Sequence, residues 1–197
     1  ITGCMEPPSG HIMDAMDFEM SGYAQDAEEN SIFVFPADDH FLSFYDIPIL
    51  AGRNFTPYDP DHPREEYILN ESALLHLGIE DPGEVIGRDF KLKFQIDSLF
   101  RGGKVIGVVR DFNLSPLKEK RKPLVLFQQP IWYGTLLIGI HPASTEESLA
   151  FIRKTWNEFF PDYLFDYSFS NQMYRVAYRN EKVQSDLSKY FSGLALF

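Results

Sequence analysis

Short apolar segments bounded by proline, glycine or asparagine recur along this chain, and they constrain its fold more than any other feature. The segment 31–35 is apolar and β-branched and stops at Pro36, which predicts a buried strand. Similar patterns predict strands at 16–20, 66–69, 89–94, 104–112, 124–128 and 136–141. Strand-helix-strand units mix with hairpin-like pairs, such as the pair joined at Gly102-Gly103, and no period of 20 to 50 residues recurs. We therefore predict an α+β fold.

Helices are fewer, and their ends are well marked. A short helix is expected over 38–45, and a second follows Asn70, with Glu71 in its first turn and Gly78 just past its end. A third begins at Ser144 or Thr145 and stops at Pro161, with Leu149, Ile152, Trp156 and Phe159 spaced to form one buried face. The segment 165–169 alternates like a half-buried strand. From residue 170 a long helix is predicted, which at 1.5 Å per residue would span about 40 Å and suggests a stalk.

These elements suggest two lobes. We predict that residues 1–51 and 129–180 form an α/β lobe and that 52–128 form a smaller β-rich lobe inserted into it. Residues 181–197 would be a stalk helix leading to a truncated membrane span, because 191–197 turns apolar and stops well short of the roughly 20 residues that a span requires. A C-terminal helix that docks on the core is an equal alternative. The first residue is Ile1, so we expect the gene product to start further upstream.

Charge and cysteine content exclude several classes of partner and site. The chain has 18 Lys and Arg against 29 Asp and Glu, a net charge of −11. Apart from the run at Lys118, Lys120, Arg121 and Lys122, the basic residues are scattered, so we predict no nucleic-acid binding and no attraction to anionic lipid. Cys4 is the single cysteine, which excludes an internal disulfide and any multi-cysteine metal centre, but it leaves the compartment open.

Candidate metal and nucleophilic sites are weak. The five histidines are scattered, and none lies three or four residues from another. Asp38-Asp39-His40 and Asp59-Pro60-Asp61-His62 could supply ligands, but a helix start and ordinary turn chemistry explain them better. A further hypothesis is that Cys4 acts as a nucleophile paired with His11. We predict no metal site and no cofactor.

Two further motifs are candidates for a functional site. Gly102-Gly103-Lys104 lacks the spacing and the following helix of a phosphate loop, so nucleotide binding is not predicted. Asp111 ends an apolar strand, where functional side chains often lie, and is the carboxylate most worth testing. A turn residue that caps the end of the strand is the better interpretation.

Four sequence blocks, in this order and spacing, resemble the periplasmic core domain of permeases of the MacB/FtsX type. The resemblance covers nearly the whole chain, whereas each block alone would be weak. The blocks are 41–55 (FLSFYDIPILAGRNF), 67–73 (YILNESA) with Leu77-Gly78, 85–88 (VIGR) and 105–113 (VIGVVRDFN).

The resemblance implies a porter-like α/β lobe, an inserted Sabre-like lobe and a position between two membrane helices. It also implies a second permease copy or half, a cytoplasmic ATPase reached through the membrane helices, and a periplasmic partner protein. The excised domain is expected to be a monomer. The family's nucleotide and catalytic residues belong to the ATPase, so the matching positions are transferred as structural, not catalytic: Gly52, Arg53, Phe55, Asn70, Glu71, Gly78, Gly87, Gly107, Asp111 and Phe112.

The sequence is also compatible with a different class of protein. It is a free-standing periplasmic ligand-binding protein or enzyme, in which aromatic side chains line a pocket near Asp111. The long partner-binding insertions of drug-efflux members have no clear counterpart here, so the sequence names no outer-membrane partner.

Overall fold

A computed structural model describes residues 1–7, 14–23, 30–93, 102–112 and 121–170. Several sequence predictions lie outside these ranges. They are His11, the basic residues Lys118 and Lys120, and the long terminal helix with its stalk at 181–197.

The described residues form a mixed fold of strands and a few helices, which confirms the predicted class in outline. The strands are β1 Thr2–Cys4, β2 Ala15–Met20, β3 Ser31–Pro36, β4 Ile49–Gly52, β5 Glu66–Asn70, β6 Asp89–Lys93, β7 Gly103–Val109, β8 Leu124–Phe127 and β9 Thr135–Leu137. The helices are α1 Phe41–Phe44, α2 Glu71–His76 and α3 Thr145–Phe159, with short 3-10 turns at Pro82–Val85, Pro130–Trp132 and Pro142–Ser144. Sequence patterns missed β1 and β4, which are short and carry few β-branched residues.

Seven strands form one sheet in the order β4-β7-β5-β8-β3-β2-β6. Because β6 also pairs with β7, through Asp89 with Lys104 and Phe90 with Gly103, the strands from β7 to β6 close into a ring of six. Strand β4 continues the sheet outside this ring by pairing with the other end of β7. Closing the ring removes most of the open edge that a twisted sheet would expose.

The Gly102-Gly103 pair does not form the predicted tight hairpin turn. Gly103 lies within β7 opposite Phe90, so the connection between the paired residues is much longer than two residues. The backbone of Glu65 passes so close that a Cβ on Gly103 would lie 1.9 Å from the Glu65 carbonyl oxygen. Glycine is therefore required at 103 by close packing of two backbones, not by a turn.

One apolar cluster fills the inside of the ring. All six ring strands contribute to it, and α2 closes it with Ala73, Leu74 and Leu77. Tyr67 is fully buried at its centre, with its ring 4.8 Å from that of Phe90 and 6.3 Å from that of Phe127. Burial of this many aromatic and branched side chains is the main stabilising contribution to the first part of the chain.

A bulge in β7 decides which of its side chains face the inside of the ring. Tyr67 of β5 pairs with Val105, but the next residue, Ile68, pairs with Gly107, so Ile106 is an extra residue. As a result Val105 and Val108 belong to the inner cluster, whereas Ile106 and Val109 belong to a second cluster on the outer face. Strict alternation would have placed Val108 on the same face as Ile106.

The outer cluster packs under α1 and the start of the chain. Phe41 and Leu42 of α1 lie against the outer face of the sheet together with Cys4 and Phe55. The helix is shorter than the predicted 38–45, because Asp38 and His40 form the turn before it. Strand β1, which the sequence patterns missed, is buried and pairs antiparallel with β9.

The described residues divide differently from the two predicted lobes. Strands β2 and β3, assigned by sequence to one lobe, pair with β6 and β8 of the other, and the boundary at 51/52 falls inside β4. The chain separates instead into a unit at Ile1–Leu137 and a unit that begins at Ile138. The reason is pairing across the predicted border, which local patterns cannot show. The Sabre-like character of 52–128 stays a prediction.

The unit that begins at Ile138 contains α3, which starts and stops close to the predicted positions. Ser144 is its N-cap residue, although its side chain makes no capping hydrogen bond, and Phe160 ends it. Of the predicted buried face, Leu149, Ile152 and Trp156 are half-buried and Phe159 is 72% exposed. That prediction is therefore wrong for Phe159.

The predicted strand at 165–169 is also absent. These residues pair with no described strand, and the alternating aromatic rings contact one another instead, with Phe165 stacked on Tyr167 at 5.4 Å. Among the helices of the described ranges, none combines the length and the apolar character that crossing a membrane demands.

Candidate functional site

Residues of three of the sequence blocks contribute to two polar junctions on the sheet, and the first is centred on Arg53. Its guanidinium contacts the Glu66 carboxylate with both terminal nitrogens, Nη2 at 2.6 Å from Oε1 and Nη1 at 3.4 Å from Oε2. Glu66 is 93% buried at the start of β5, whereas the Arg53 side chain is half exposed. The pairing is bidentate, the geometry in which arginine binds a carboxylate most specifically.

The same carboxylate also holds the chain that follows β4. The Thr56 backbone N–H donates to Glu66 Oε2 at 2.9 Å, and the Thr56 hydroxyl donates to Oε1 at 3.2 Å. Asn54 fixes the turn between them by donating from Nδ2 to the Asp39 carbonyl at 2.7 Å. Phe55, between these two anchors, is buried in the outer cluster. We call residues 53–64 the anchored loop.

Electrostatics at this junction favour the charged carboxylate. Burial opposes ionisation of Glu66, but the hydrogen bond from Arg53, the Thr56 N–H and the charge of Arg53 outweigh it, so the pKa of Glu66 is lowered. The same hydrogen bond raises the pKa of Arg53 against the opposing effect of burial. Both groups therefore stay ionised.

We predict a pH-dependent contribution of Glu66 to stability. Because its folded pKa lies below the unfolded value, the contribution is fully present above about pH 4.5 and is lost as the pH falls through the folded pKa. Glu66→Gln should lower the free energy of unfolding by about 2 kcal/mol at pH 7. Urea titrations of both proteins from pH 7 to pH 3 should show the difference shrinking on acidification. Curves that stay parallel to pH 3 would contradict the ion pair.

Two glycines of the motif allow β4 and β7 to approach closely beside this junction. Gly52 has φ of +74°, and a Cβ on it would lie 2.1 Å from the Ile106 carbonyl oxygen. A Cβ on Gly107 would lie 2.4 Å from the Arg53 carbonyl oxygen. The bulge at Ile106 and the turn at Gly52 therefore fit against each other backbone to backbone.

The second junction lies at the start of α2, where β5 and β7 end. Asn70 Oδ1 accepts from the Ala73 N–H at 2.9 Å, as the sequence predicts, and also from the Leu124 N–H at 2.8 Å. Asp111 accepts from the Ser72 N–H at 3.0 Å and from its hydroxyl at 2.7 Å. Glu71 Oε2 in turn accepts from the Asp111 N–H at 2.9 Å.

This arrangement assigns Asp111 a capping role. Its side chain is 94% buried, each carboxylate oxygen already accepts a hydrogen bond from Ser72, and Arg121 Nη1 lies 3.9 Å from Oδ2. Asn70 and Asp111 together satisfy two of the backbone N–H groups that a helix start leaves unpaired. Asp111 therefore connects β7 to α2, and it has the geometry of a structural residue.

The remaining motif residues also lie at turns or in the core. Gly78 and Gly87 have positive φ, of 67° and 84°, at the end of α2 and after the first 3-10 turn. The Gly87 N–H donates to the Val105 carbonyl at 2.8 Å, which joins that turn to β7. Phe112 packs against the outer cluster, with its ring 5.9 Å from Phe41.

The candidate metal ligands are engaged in local turns. Asp38 accepts from the Thr2 hydroxyl, from the Gly3 N–H at 2.6 Å and from the His40 N–H, so it joins β1 to the turn before α1. Asp59 accepts from the Asp61 N–H and lies 3.2 Å from His62 Nδ1. In the ranges that the structure describes, no three His, Cys, Asp or Glu side chains converge as metal ligands.

Cys4 lacks the character of a nucleophile. The thiol is completely buried and donates to the Glu6 carbonyl at 3.2 Å. Burial, reinforced by the carboxylates of Asp38 and Glu6, raises its pKa to about 12. At neutral pH the sulfur is therefore a protonated thiol, not the reactive thiolate.

Sequence reasoning missed Glu66 and Ser72, the partners of Arg53 and Asp111. A charged residue at the head of an otherwise apolar strand is a detectable signal, since burying it requires a partner. Nothing comparable marks Ser72, because serine is common in the first turn of helices.

The fold of this chain is similar to that of several solved structures. The fold is similar to the periplasmic region of MacB from Actinobacillus actinomycetemcomitans, at 16% identity over 74% of this chain and a TM-score of 0.46. It is also similar to a domain of a protein described as a permease, from Porphyromonas gingivalis, at 17% identity over 85% of this chain and 84% of that domain, with a TM-score of 0.42.

A third similar structure is the extracellular domain of the ABC-type transporter YknZ from Gram-positive bacteria. Identity is 13% over 75% of this chain and 68% of that one, with a TM-score of 0.44. The likeness to these three structures is one of fold. The aligned part spans 64% of the MacB periplasmic region. No protein-family model matches the sequence, and no curated protein matches it.

Proposed function

We propose that this chain is an extracytoplasmic domain of an ABC transporter permease of the MacB/FtsX type. In this role it lies on the outer side of a bacterial inner membrane, relays motion that a cytoplasmic ATPase drives, and contacts substrate or partner proteins. Its work is mechanical, and it carries out no reaction of its own. A second permease copy or half completes the transporter.

One observation carries this proposal: the four sequence blocks that resemble the family form one connected structure. Block 41–55 supplies α1, β4 and Arg53, block 67–73 supplies most of β5 and the start of α2, and block 105–113 supplies most of β7 and Asp111. Gly87 of block 85–88 donates from its N–H to the Val105 carbonyl of β7. Contacts between Gly52 and Ile106 and between Ser72 and Asp111 join them. Residues that are distant in sequence therefore cooperate in one part of the fold, which is expected of a family signature and not of chance matches.

The chemistry of the two junctions also supports a mechanical role. Their charged side chains are engaged in bidentate or capping hydrogen bonds, which hold strands and helix in fixed positions. Such fully paired networks favour rigidity over reactivity. A domain that transmits force must be rigid between the surface that receives the force and the surface that passes it on.

The alternative is a free-standing ligand-binding protein or enzyme with a site near Asp111. Its carboxylate would have to reach a substrate, but both oxygens accept hydrogen bonds from Ser72 and the side chain is 94% buried. The geometry therefore argues against a substrate site at Asp111.

The test uses the full gene product. We expect apolar spans of about 20 residues on both sides of the present segment. Alkaline phosphatase inserted at the exposed turn 60–62 should be active, which places the domain outside the cytoplasm, whereas a cytoplasmic reporter at the same position should be silent. Purification of the full-length protein in detergent should recover an ABC-type ATPase. Natural flanks without apolar spans, or a silent phosphatase, would refute the proposal.

A relay role requires a further comparison. Replacing residues 1–170 of this domain in the full-length protein by a flexible Gly-Ser linker should leave ATPase binding intact and abolish export. Unchanged export after this replacement would show that the domain transmits nothing.

A further inference from the structure

Strands β1 and β9 form a two-stranded sheet that is distinct from the seven-stranded sheet. We call them the small sheet and the main sheet. The two strands of the small sheet are antiparallel, with Thr2 opposite Leu137 and Cys4 opposite Thr135. An isolated two-stranded sheet is at best marginally stable in water, so the small sheet depends on its contacts with the main sheet.

The small sheet lies where the chain enters and leaves the main sheet. Because Thr2 is opposite Leu137, the start of β1 and the end of β9 lie at the same end of the pair. All strands of the main sheet fall between them in sequence, and residue 138 begins the other unit of the chain. A displacement that arrives along the chain from either direction therefore reaches the small sheet before the main sheet.

Main-chain hydrogen bonds attach β1 to the end of β3. The Asp38 N–H donates to the Gly3 carbonyl at 3.0 Å, and the Met5 N–H donates to the Pro36 carbonyl at 3.0 Å. Pro36 is the last residue of β3, which belongs to the main sheet. These two bonds therefore join the small sheet to the main sheet.

The Asp38 side chain completes this attachment. Its Oδ2 accepts from the Gly3 N–H at 2.6 Å. Its Oδ1 accepts from the Thr2 hydroxyl and from the His40 N–H, the latter at 3.0 Å. Gly3 thus directs both its N–H and its carbonyl to Asp38, as it would to a residue of a neighbouring strand. One carboxylate therefore connects β1 to the turn that follows β3.

The small sheet can open without disturbing the inside of the ring. No residue of β1 or β9 belongs to the inner cluster, whereas Cys4 and Leu137 contact the outer cluster. On the β9 side, Leu136 is 58% exposed. Opening of the small sheet alone would leave the inner cluster packed, so it requires less free energy than unfolding of the whole unit.

We propose that the Asp38 carboxylate is a latch: it fixes the small sheet to the main sheet, and without it β1 opens locally while the ring of strands stays folded. With the latch closed, a displacement of the chain before Thr2 or after Leu137 moves the main sheet with it. The role in relaying motion rests on the proposed function, whereas the local attachment does not.

Native-state hydrogen exchange of the ¹⁵N-labelled 197-residue chain tests the attachment. In Asp38→Asn the side chain keeps one acceptor oxygen in place of two, so it cannot hold Thr2, Gly3 and His40 together. The N–H groups of Gly3 and Met5 should exchange faster by a factor on the order of ten. Those of Leu69 and Val125, in the ring, should exchange at unchanged rates.

Asp39→Asn is the matched control. It removes the same charge from the neighbouring residue and keeps the Asp39 carbonyl that accepts from Asn54. The exchange rates of Gly3 and Met5 should not change in this variant.

Three results would overturn the latch. In the first, Gly3 exchanges at the same rate in Asp38→Asn and in the natural chain. In the second, Leu69 and Val125 are accelerated as much as Gly3, so that β1 opens only when the whole unit unfolds. In the third, Asp38→Asn does not fold, which would make Asp38 an ordinary requirement of the fold.

The relay role is tested in the full-length protein. Asp38→Asn should reduce export while the ATPase is still recovered on purification, and Asp39→Asn should retain both. Unchanged export in Asp38→Asn, together with faster exchange at Gly3, would refute the relay role of the latch. Natural flanks without apolar spans would refute the proposed function and leave the exchange results unaffected, so the two failures are distinguishable.

Discussion

Replacing Tyr67 with alanine is expected to lower the free energy of unfolding by about 3–5 kcal/mol, the range for truncating a large core aromatic. Tyr67 is fully buried inside the ring of strands, and its ring contacts those of Phe90 and Phe127. The variant leaves a cavity that neighbouring strands cannot fill, because they are held in register on both sides. Urea unfolding followed by tryptophan fluorescence or circular dichroism measures the loss.

Tyr67→Phe is the matched control. It keeps the ring and its packing, so it should lose only about 1 kcal/mol, the contribution of one hydrogen bond. If Tyr67→Ala lost no more than Tyr67→Phe, the ring interior would be loosely packed, and the inner cluster would not be the main source of stability.

Replacing Gly52 with alanine is expected to cost about 2–5 kcal/mol, from two causes that add. Its φ of +74° is unfavourable for a residue with a Cβ, by about 1–2 kcal/mol. The new Cβ would also lie 2.1 Å from the Ile106 carbonyl oxygen, and relief of such overpacking costs about 1–3 kcal/mol more. Because the contact at 2.1 Å is with a backbone oxygen, β4 must shift away from β7.

Gly78→Ala separates the two causes. Gly78 also has positive φ, of 67°, but a Cβ there would have no atom within 4 Å. It should cost only the conformational term of about 1–2 kcal/mol. Equal losses in the two variants, measured by urea unfolding under the same conditions, would show that Gly52 is required for its backbone angle alone and that the close approach of β4 to β7 is relieved easily.

Local patterns predicted much of the fold because the corresponding interactions are local. The capped start of α2 at Asn70, its end at Gly78 and the strand at 31–36 depend on neighbours within a few residues. The strands on either side of Gly102-Gly103 do pair antiparallel, but the tight turn at the glycine pair and the strand at 165–169 were wrong. A glycine pair and an alternating pattern predict a turn and a strand only if the right partner lies opposite. Gly103 faces the Glu65 backbone instead.

The candidate site was predicted in part. Arg53 was singled out from the family resemblance, and Asp111 already from its position at the end of an apolar strand. Their partners Glu66 and Ser72 lie 13 and 39 residues away in sequence. A guanidinium or carboxylate in a sequence does not indicate which distant group it will meet.

What the sequence by itself determined is most of the strands, where α2 and α3 begin and end, and that the charge balance does not favour nucleic acid and the single cysteine excludes a multi-cysteine metal centre. Only the tertiary structure decided that β6 returns to β7 and closes the ring, that the extra residue Ile106 turns Val108 inward, and that the strands of both predicted lobes share one sheet. The physical reason is how far apart in sequence the interacting residues lie. Caps and turns depend on backbone angles and on hydrogen bonds between near neighbours, whereas strand pairing depends on apolar surfaces that meet only when distant segments pack together.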